Sequence, residues 1–129
     1  MKSLQTKIKK YLKDRNWDQL RPSDLAKSIS IESSELLEIF QWSNSSLEDV
    51  KKDKEKVNEI KKELADVLIY CLDMATLLNI DAEQIVKNKL EIAIKKYPAA
   101  KMRNTKGMEP GTDKEYLKMK RLYRRKGLS

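Results

Sequence analysis

The sequence predicts an all-α protein, a four-helix bundle, on three observations. Apolar residues recur at three- and four-residue spacing through most of the first 98 positions. Only three Gly and three Pro occur in 129 residues, too few for the turns of a sandwich or a Rossmann-type sheet. Charged residues at 37% beside hydrophobic ones at 40% match helices with one buried and one solvated face. The length fits one domain able to bury a real core.

The first helix is expected over roughly Ser3 to Asp14, with Leu4, Ile8 and Tyr11 or Leu12 on one side, ending near Asn16 and Trp17. The second follows Arg21-Pro22 with Ser23 as N-cap and runs to about Gln41. Ser43 to Ser46 reads as a loop. Ser46 and Asp49 then stand at capping-box spacing and open a long third helix, charged at first and apolar after Lys62. Asn79-Ile80 breaks that pattern. Asp81 and Gln84 cap a fourth helix, Ala82 to Lys96, which stops before Pro98. Beyond it Gly107, Pro110 and Gly111 predict a loop, and 113–126 a short basic helix. The division expected is therefore a helical domain over 1–98 and a basic extension, partly helical or flexible, over 99–129.

Charge follows the same division. Residues 1–98 hold 18 basic and 17 acidic side chains, whereas 99–129 hold 10 and 3, so almost all of the net +8 belongs to the extension. The single cysteine, Cys71, excludes an intrachain disulfide and is expected to pack in the core. MKSLQTKIKKYLKD lacks the apolar run of a secretory leader, and VLIYCLDMATLL is short and broken by Asp73. Both point to a soluble, cytoplasmic protein.

One helical stripe contains an anomaly. Leu25, Ile29, Glu32, Leu36 and Ile39 follow in steps of four, three, four and three, and the third is a carboxylate. An unpaired buried carboxylate costs several kcal/mol unless a cation or a hydrogen-bond donor compensates it. Glu35 stands one turn on, and the next long helix repeats the spacing with Glu63 and Asp66. If the two helices pack together, four carboxylates converge and require cations to remain ionised. With no histidine in the chain, the Glu-x-x-His pairs of di-iron bundles and the usual zinc sites are out of reach. An all-oxygen set suits Mg²⁺, with Mn²⁺ as a substitute, and Mg²⁺ commonly bridges to substrate phosphates. Acidic pairs at helical spacing are common on solvated faces, so the residues alone leave a metal site and a plain bundle about equally supported.

These residues resemble a known family. ExxE, a gap of 27 residues and ExxD, together with RNWDQLRP, ELLEIFQW, ELADVLIY and KKYP, stand in the order found in MazG-like nucleoside triphosphate pyrophosphohydrolases, particularly the dCTP pyrophosphatase branch. The resemblance spans residues 13 to 98. It implies hydrolysis between the α and β phosphates, giving a monophosphate and pyrophosphate, with Mg²⁺ held by Glu32, Glu35, Glu63 and Asp66. Glu35 and Asp66 are the catalytic candidates; one carboxylate, Glu35 being the first candidate, would take a proton from the attacking water, and the sequence does not decide which. Trp17 and Trp42 match aromatic positions lining the base pocket, and Tyr70, one turn beyond Asp66, is placed to reach sugar or base. Lys89, Lys96 and Tyr97 match a region that meets phosphate oxygens. Each of these has a plainer fate, as a core anchor for the aromatics or a solvated side chain for the lysines. Two positions depart from the branch: Arg21 stands where His is common, and Ala93 where Asn is.

Ile31, Leu37 and Ile69 lie off the main apolar stripes, which predicts a homodimer or homotetramer. Two competing functions remain. One is nucleic-acid binding through the extension, with Arg121, Arg124, Arg125 and Lys126 as phosphate contacts; the other is a regulatory helical oligomer without catalysis.

Overall fold

The computed structural model describes residues 1–102 and 114–128, all of whose regular structure is helical. The helices are α1 (Lys2–Asp14), α2 (Pro22–Glu38), α3 (Leu47–Lys52), α4 (Lys54–Leu77), α5 (Ala82–Lys96), α6 (Ala99–Met102) and α7 (Lys114–Arg125). The chain falls into two compact units, Met1–Ala82 and Glu83–Ser129. The loop expected around Gly107, Pro110 and Gly111 lies outside the described residues.

In the first unit α4 is the central element, packed most extensively against α2 and next against α1. Its first half carries the charged sequence KEKVNEIKK, and its buried residues, Leu72, Asp73 and Ala75, all lie past Lys62. Leu72 and Ala75 join Ile8 and Leu12 of α1 and Ala82 in one apolar cluster, flanked by Leu77 and Ile80. Gln5 ties α1 to the end of α4: its Nε2 donates to the Ile80 carbonyl at 2.9 Å and to Thr76 Oγ1 at 3.3 Å, and its Oε1 accepts from the Ala82 amide at 3.0 Å.

Both α1 and α4 stop in the same way. Asn16 and Asn79 adopt left-handed backbone with φ of 59° and 56°. The amide one residue further on reaches back five positions, Trp17 to Leu12 at 2.9 Å and Ile80 to Ala75 at 2.7 Å, closing the orphan carbonyls of the last turn. Asparagine serves there because its short side chain tolerates the left-handed region better than other non-glycine residues. Asn16 thereby fixes where Trp17 points.

Three boundaries differ from expectation. The N-cap of α2 is Arg21, with Pro22 in the first turn, where its missing N–H costs nothing; Ser23 is already inside the helix. The same helix ends at Glu38, and Ile39 to Trp42 continue as turns. The long third helix is interrupted at Asp53, whose extended backbone ends α3 while its Oδ1 accepts the Lys56 amide at 3.0 Å and starts α4. Ser46 caps α3 as expected, its Oγ accepting the Asp49 amide at 3.2 Å. No helix among the described residues is long and apolar enough to cross a membrane.

The second unit holds most of α5 and the basic helix α7. Tyr97 and Tyr116 stack with ring centroids 4.9 Å apart, and the Lys96 ammonium lies 5.2 Å from the Tyr97 ring and 5.4 Å from that of Tyr123. Lys96 is accordingly buried, at 8% exposure, with aromatic faces taking the place of water around its charge.

Candidate active site

On α2 the acids Glu32, Glu35 and Glu38 follow at three-residue steps along one face, and on α4 Glu63 and Asp66 do the same. Because α2 packs along α4, the two rows meet. Carboxylate oxygens of Glu32, Glu63 and Asp66 lie within 4.8 Å of one another. Glu35 stands beside this trio, close enough that its charge helps raise the proton affinities of Glu32 and Glu63.

The electrostatics are those of crowded like charges. Glu32 holds its proton above the usual carboxylate range, first through the hydrogen bond to Glu35, then through burial, then through the charges of Glu35, Asp66 and Glu63. Glu63 is raised by burial first, then by the Glu35 charge, with Asp66 and Glu38 adding to it. Its Oε2 is buried without a hydrogen-bond partner. A hard divalent cation answers each of these conditions, because it supplies the missing partner and cancels the repulsion. The donor set, oxygen throughout, fits such an ion.

Next to the acids a cleft of about 450 Å³ opens between α1, α2 and α4. Glu32 and Asp66 line one part of it; Trp17, Tyr11, Tyr70 and Asp73 line others. Trp17, fixed by the left-handed Asn16, meets Tyr11 edge to face with ring centroids 5.9 Å apart. The wall also carries Asp24, whose Oδ2 accepts from Arg21 Nε at 3.0 Å. Carboxylates beside an aromatic-lined cleft can hold a charged phosphate chain through a cation and a flat ring through stacking.

Comparison with known proteins places the chain. Residues 27–108, more than half of it, match the model of the MazG-like family. The chain belongs to the MazG-like family. Among its relatives, dCTP pyrophosphatase 1 of Mus musculus is 32% identical over 88 residues, 66% of this chain and 51% of the relative. The Homo sapiens protein of the same name is 32% identical over 89 residues, 67% and 52% of the two chains. This chain thus spans about half the length of the curated relatives it matches. A pyrophosphatase of known crystal structure from Archaeoglobus fulgidus is 40% identical, with a TM-score of 0.66 over 76% of this chain and 92% of that one.

Set against the MazG-like resemblance, the candidates separate. Glu32, Glu63 and Asp66 come together with Glu35 at their side, and Trp17 and Tyr70 line the adjoining cleft. Trp42 is not among the cleft-lining residues and is 90% exposed in the turn after α2. That turn is tied down nearby, since Lys56 Nζ donates to Ser43 Oγ at 3.1 Å and lies 5.4 Å from the Phe40 ring. Lys89, Lys96 and Tyr97 belong to the second unit, where Lys89 is exposed and Lys96 and Tyr97 make the contacts given above. Of the departures from the branch, Arg21 is exposed and Ala93 half-buried. Cys71, expected in the core, is exposed, because it lies off the stripe of Leu72 and Ala75 that faces α1.

Two acids escaped the sequence reading. Glu38 extends the three-residue step of Glu32 and Glu35, a signal that was present and unused. Asp73 lies seven residues beyond Asp66, two turns along the same face of α4, and its break in an apolar segment was the sign of it.

Proposed function

We propose that this MazG-like chain is a divalent-cation-dependent nucleoside triphosphate pyrophosphohydrolase that cleaves between the α and β phosphates, yielding a monophosphate and pyrophosphate. One observation carries the reading: the trio Glu32, Glu63 and Asp66, with Glu35 against it, at the edge of a cleft lined by Trp17 and Tyr70. The relatives named dCTP pyrophosphatase support deoxynucleotides as substrates and removal of surplus or non-standard ones as the role.

Glu32, Glu63 and Asp66 would hold Mg²⁺, with Mn²⁺ as a substitute, and Glu35 would complete the set. When bound, the cation neutralises phosphate oxygens and acidifies water at the α phosphorus. Glu35 takes the proton of the attacking water, and Asp66 fixes the geometry of the acids. Trp17 stacks on the base, Tyr70 meets the sugar, and Trp42 covers the nucleotide from the α2 turn. The resemblance assigns Lys89, Lys96 and Tyr97 to phosphate oxygens of the substrate, where preorganised charge is worth several kcal/mol. The working form is a cytoplasmic homodimer or homotetramer of MazG-type four-helix bundles. An apolar groove of about 520 Å³ along α1 and α4, lined by Leu4, Ile8, Leu68 and Leu72 among others, and the exposed Ile85, Val86, Leu90 and Ile94 of α5 support association.

The test is a panel of the eight common ribo- and deoxyribonucleoside triphosphates with Mg²⁺ and, separately, with EDTA, reading monophosphate and pyrophosphate. Metal-dependent release of both products, abolished in Glu35→Ala and Asp66→Asn, is expected. Absence of turnover on every nucleotide would remove the proposal.

A second reading has its own observation: Lys114, Lys118, Arg121 and Arg125 line one shallow groove of α7, a row of cations at helical spacing. On that reading α7 binds nucleic acid, and Arg121→Glu with Arg125→Glu would abolish a salt-sensitive DNA or RNA affinity of the full chain.

A further inference from the structure

Asp73 is a carboxylate at 4% exposure, on the wall of the cleft that Trp17 and Tyr70 share. Its Oδ1 is buried and accepts no hydrogen bond, although the Tyr11, Tyr70 and Ser28 side chains line the same cleft. Burial raises its proton affinity, the mark of a charge that lost water and gained no donor. An unmet acceptor at the wall of an open cleft is a poor structural choice, since leucine would fill the same space without the desolvation cost. It becomes a good choice when a ligand brings the donor.

Position narrows the donor. Asp73 is seven residues beyond Asp66 on one helix, about 10 Å along its axis. Phosphates gathered at the Glu32, Glu63 and Asp66 end would repel a second carboxylate, so the part of a nucleotide that reaches Asp73 is the end remote from them, the base. Nucleobases differ in what they offer an acceptor oxygen. Cytosine and adenine carry an exocyclic amino group where uracil, thymine and hypoxanthine carry a carbonyl, which sets an oxygen against the carboxylate; guanine carries both, an amino group at C2 and a carbonyl at C6.

We propose that Asp73 is a specificity-determining residue that accepts a hydrogen bond from the exocyclic amino group of the base and so selects amino-bearing over oxo-bearing nucleotides. The inference rests on the nucleotide reading of the cleft and adds to it the residue that reads the base. Asp73 does not touch the reacting phosphorus; it acts on which base is held.

The test uses two pairs that differ only by amino for oxo, dCMP against dUMP and dAMP against dIMP. Their binding to the full chain is measured by calorimetry with Mg²⁺, beside turnover of the matching triphosphates. In the parent protein the amino member of the tighter-binding pair is expected to bind about tenfold or more tightly than its oxo partner, because a site built around one polar group rejects its absence strongly. Asp73→Asn offers an amide that donates to a carbonyl oxygen as well as it accepts, so the preference should vanish or invert. Asp73→Ala, which removes the acceptor, should lose the preference without inverting it. Equal affinity for amino and oxo members in the parent protein, an unchanged ratio in both variants, or no nucleotide binding at all would overturn the proposal. Turnover without discrimination sinks the role of Asp73 and leaves the reaction standing. Discrimination without turnover does the reverse.

Discussion

Glu63 carries opposite demands in one side chain. Its buried Oε2 lacks a partner and its proton affinity is raised by burial and by neighbouring carboxylates, so in the absence of a cation it opposes folding once charged. Glu63→Gln should therefore melt higher than the parent protein in EDTA at neutral pH, while kcat/KM with Mg²⁺ falls at least about a hundredfold through loss of a charged ligand. A variant that lost both stability and activity would mark Glu63 as a packing residue. Asp73 shares the raised proton affinity for a simpler reason, burial alone, and its consequence is legible only in three dimensions. The spacing of Glu32, Glu35, Glu63 and Asp66 could be read from the chain because helical periodicity alone aligns such pairs on a face. The cleft could not, because its shape depends on how α1 lies across α2 and α4.

The acid cluster also sets a pH dependence. Glu32 and Glu63 have folded-state proton affinities above their unfolded values, so the folded chain binds more protons between the two. Cation-free stability should fall as pH rises from the ordinary carboxylate range through the raised folded values. Mg²⁺ should raise Tm more at pH 7.5 than at pH 4.5, where protons already neutralise the cluster. Thermal melts at the two pH values with and without EDTA check this, and an equal gain at both would disconnect the ion from these acids.

At the scale of elements, the C-terminal turn of α1 decides where the cleft wall stands. Asn16 holds the left-handed conformation that turns the chain and aims Trp17. Asn16→Gly should leave stability equal or slightly higher, whereas Asn16→Val should cost about 1–2 kcal/mol, since β-branched residues resist that region. Chemical denaturation measures both, and a Trp17 emission shift in the valine variant alone would show the ring released from its wall. Helix ends at Asn16 and Asn79 were readable because asparagine in that role leaves a local signal. The interruption at Asp53 was not, because KKDKEK contains neither glycine nor proline and a continuous charged helix is equally compatible with it. Nor did Ser23 cap α2: Pro22 is preorganised for the first turn and moves the boundary back to Arg21.

On the scale of the whole molecule, the main buried cluster among the described residues of the first unit is small, Leu12 with four others, while much aliphatic surface on α1, α4 and α5 is left exposed. That balance suits a chain completed by its own copies. Sedimentation at micromolar concentration should show a dimer or tetramer, and Leu68→Asp with Leu4→Asp should shift it toward a smaller species. A stable folded monomer of the parent protein would contradict the assembly. The apolar faces were visible in the sequence as residues off the main stripes, Ile31, Leu37 and Ile69, all exposed.

Cys71 sits solvent-facing on α4, one residue from Tyr70 and five from Asp66, and the chain has no other thiol. A nitroxide attached there reads two things from one position. Each protomer contributes a single spin, so dipolar coupling appears only when copies associate and its period gives the distance between their fourth helices. A paramagnetic Mn²⁺ placed among the neighbouring acids would broaden the same resonance, mapping ion occupancy without any turnover.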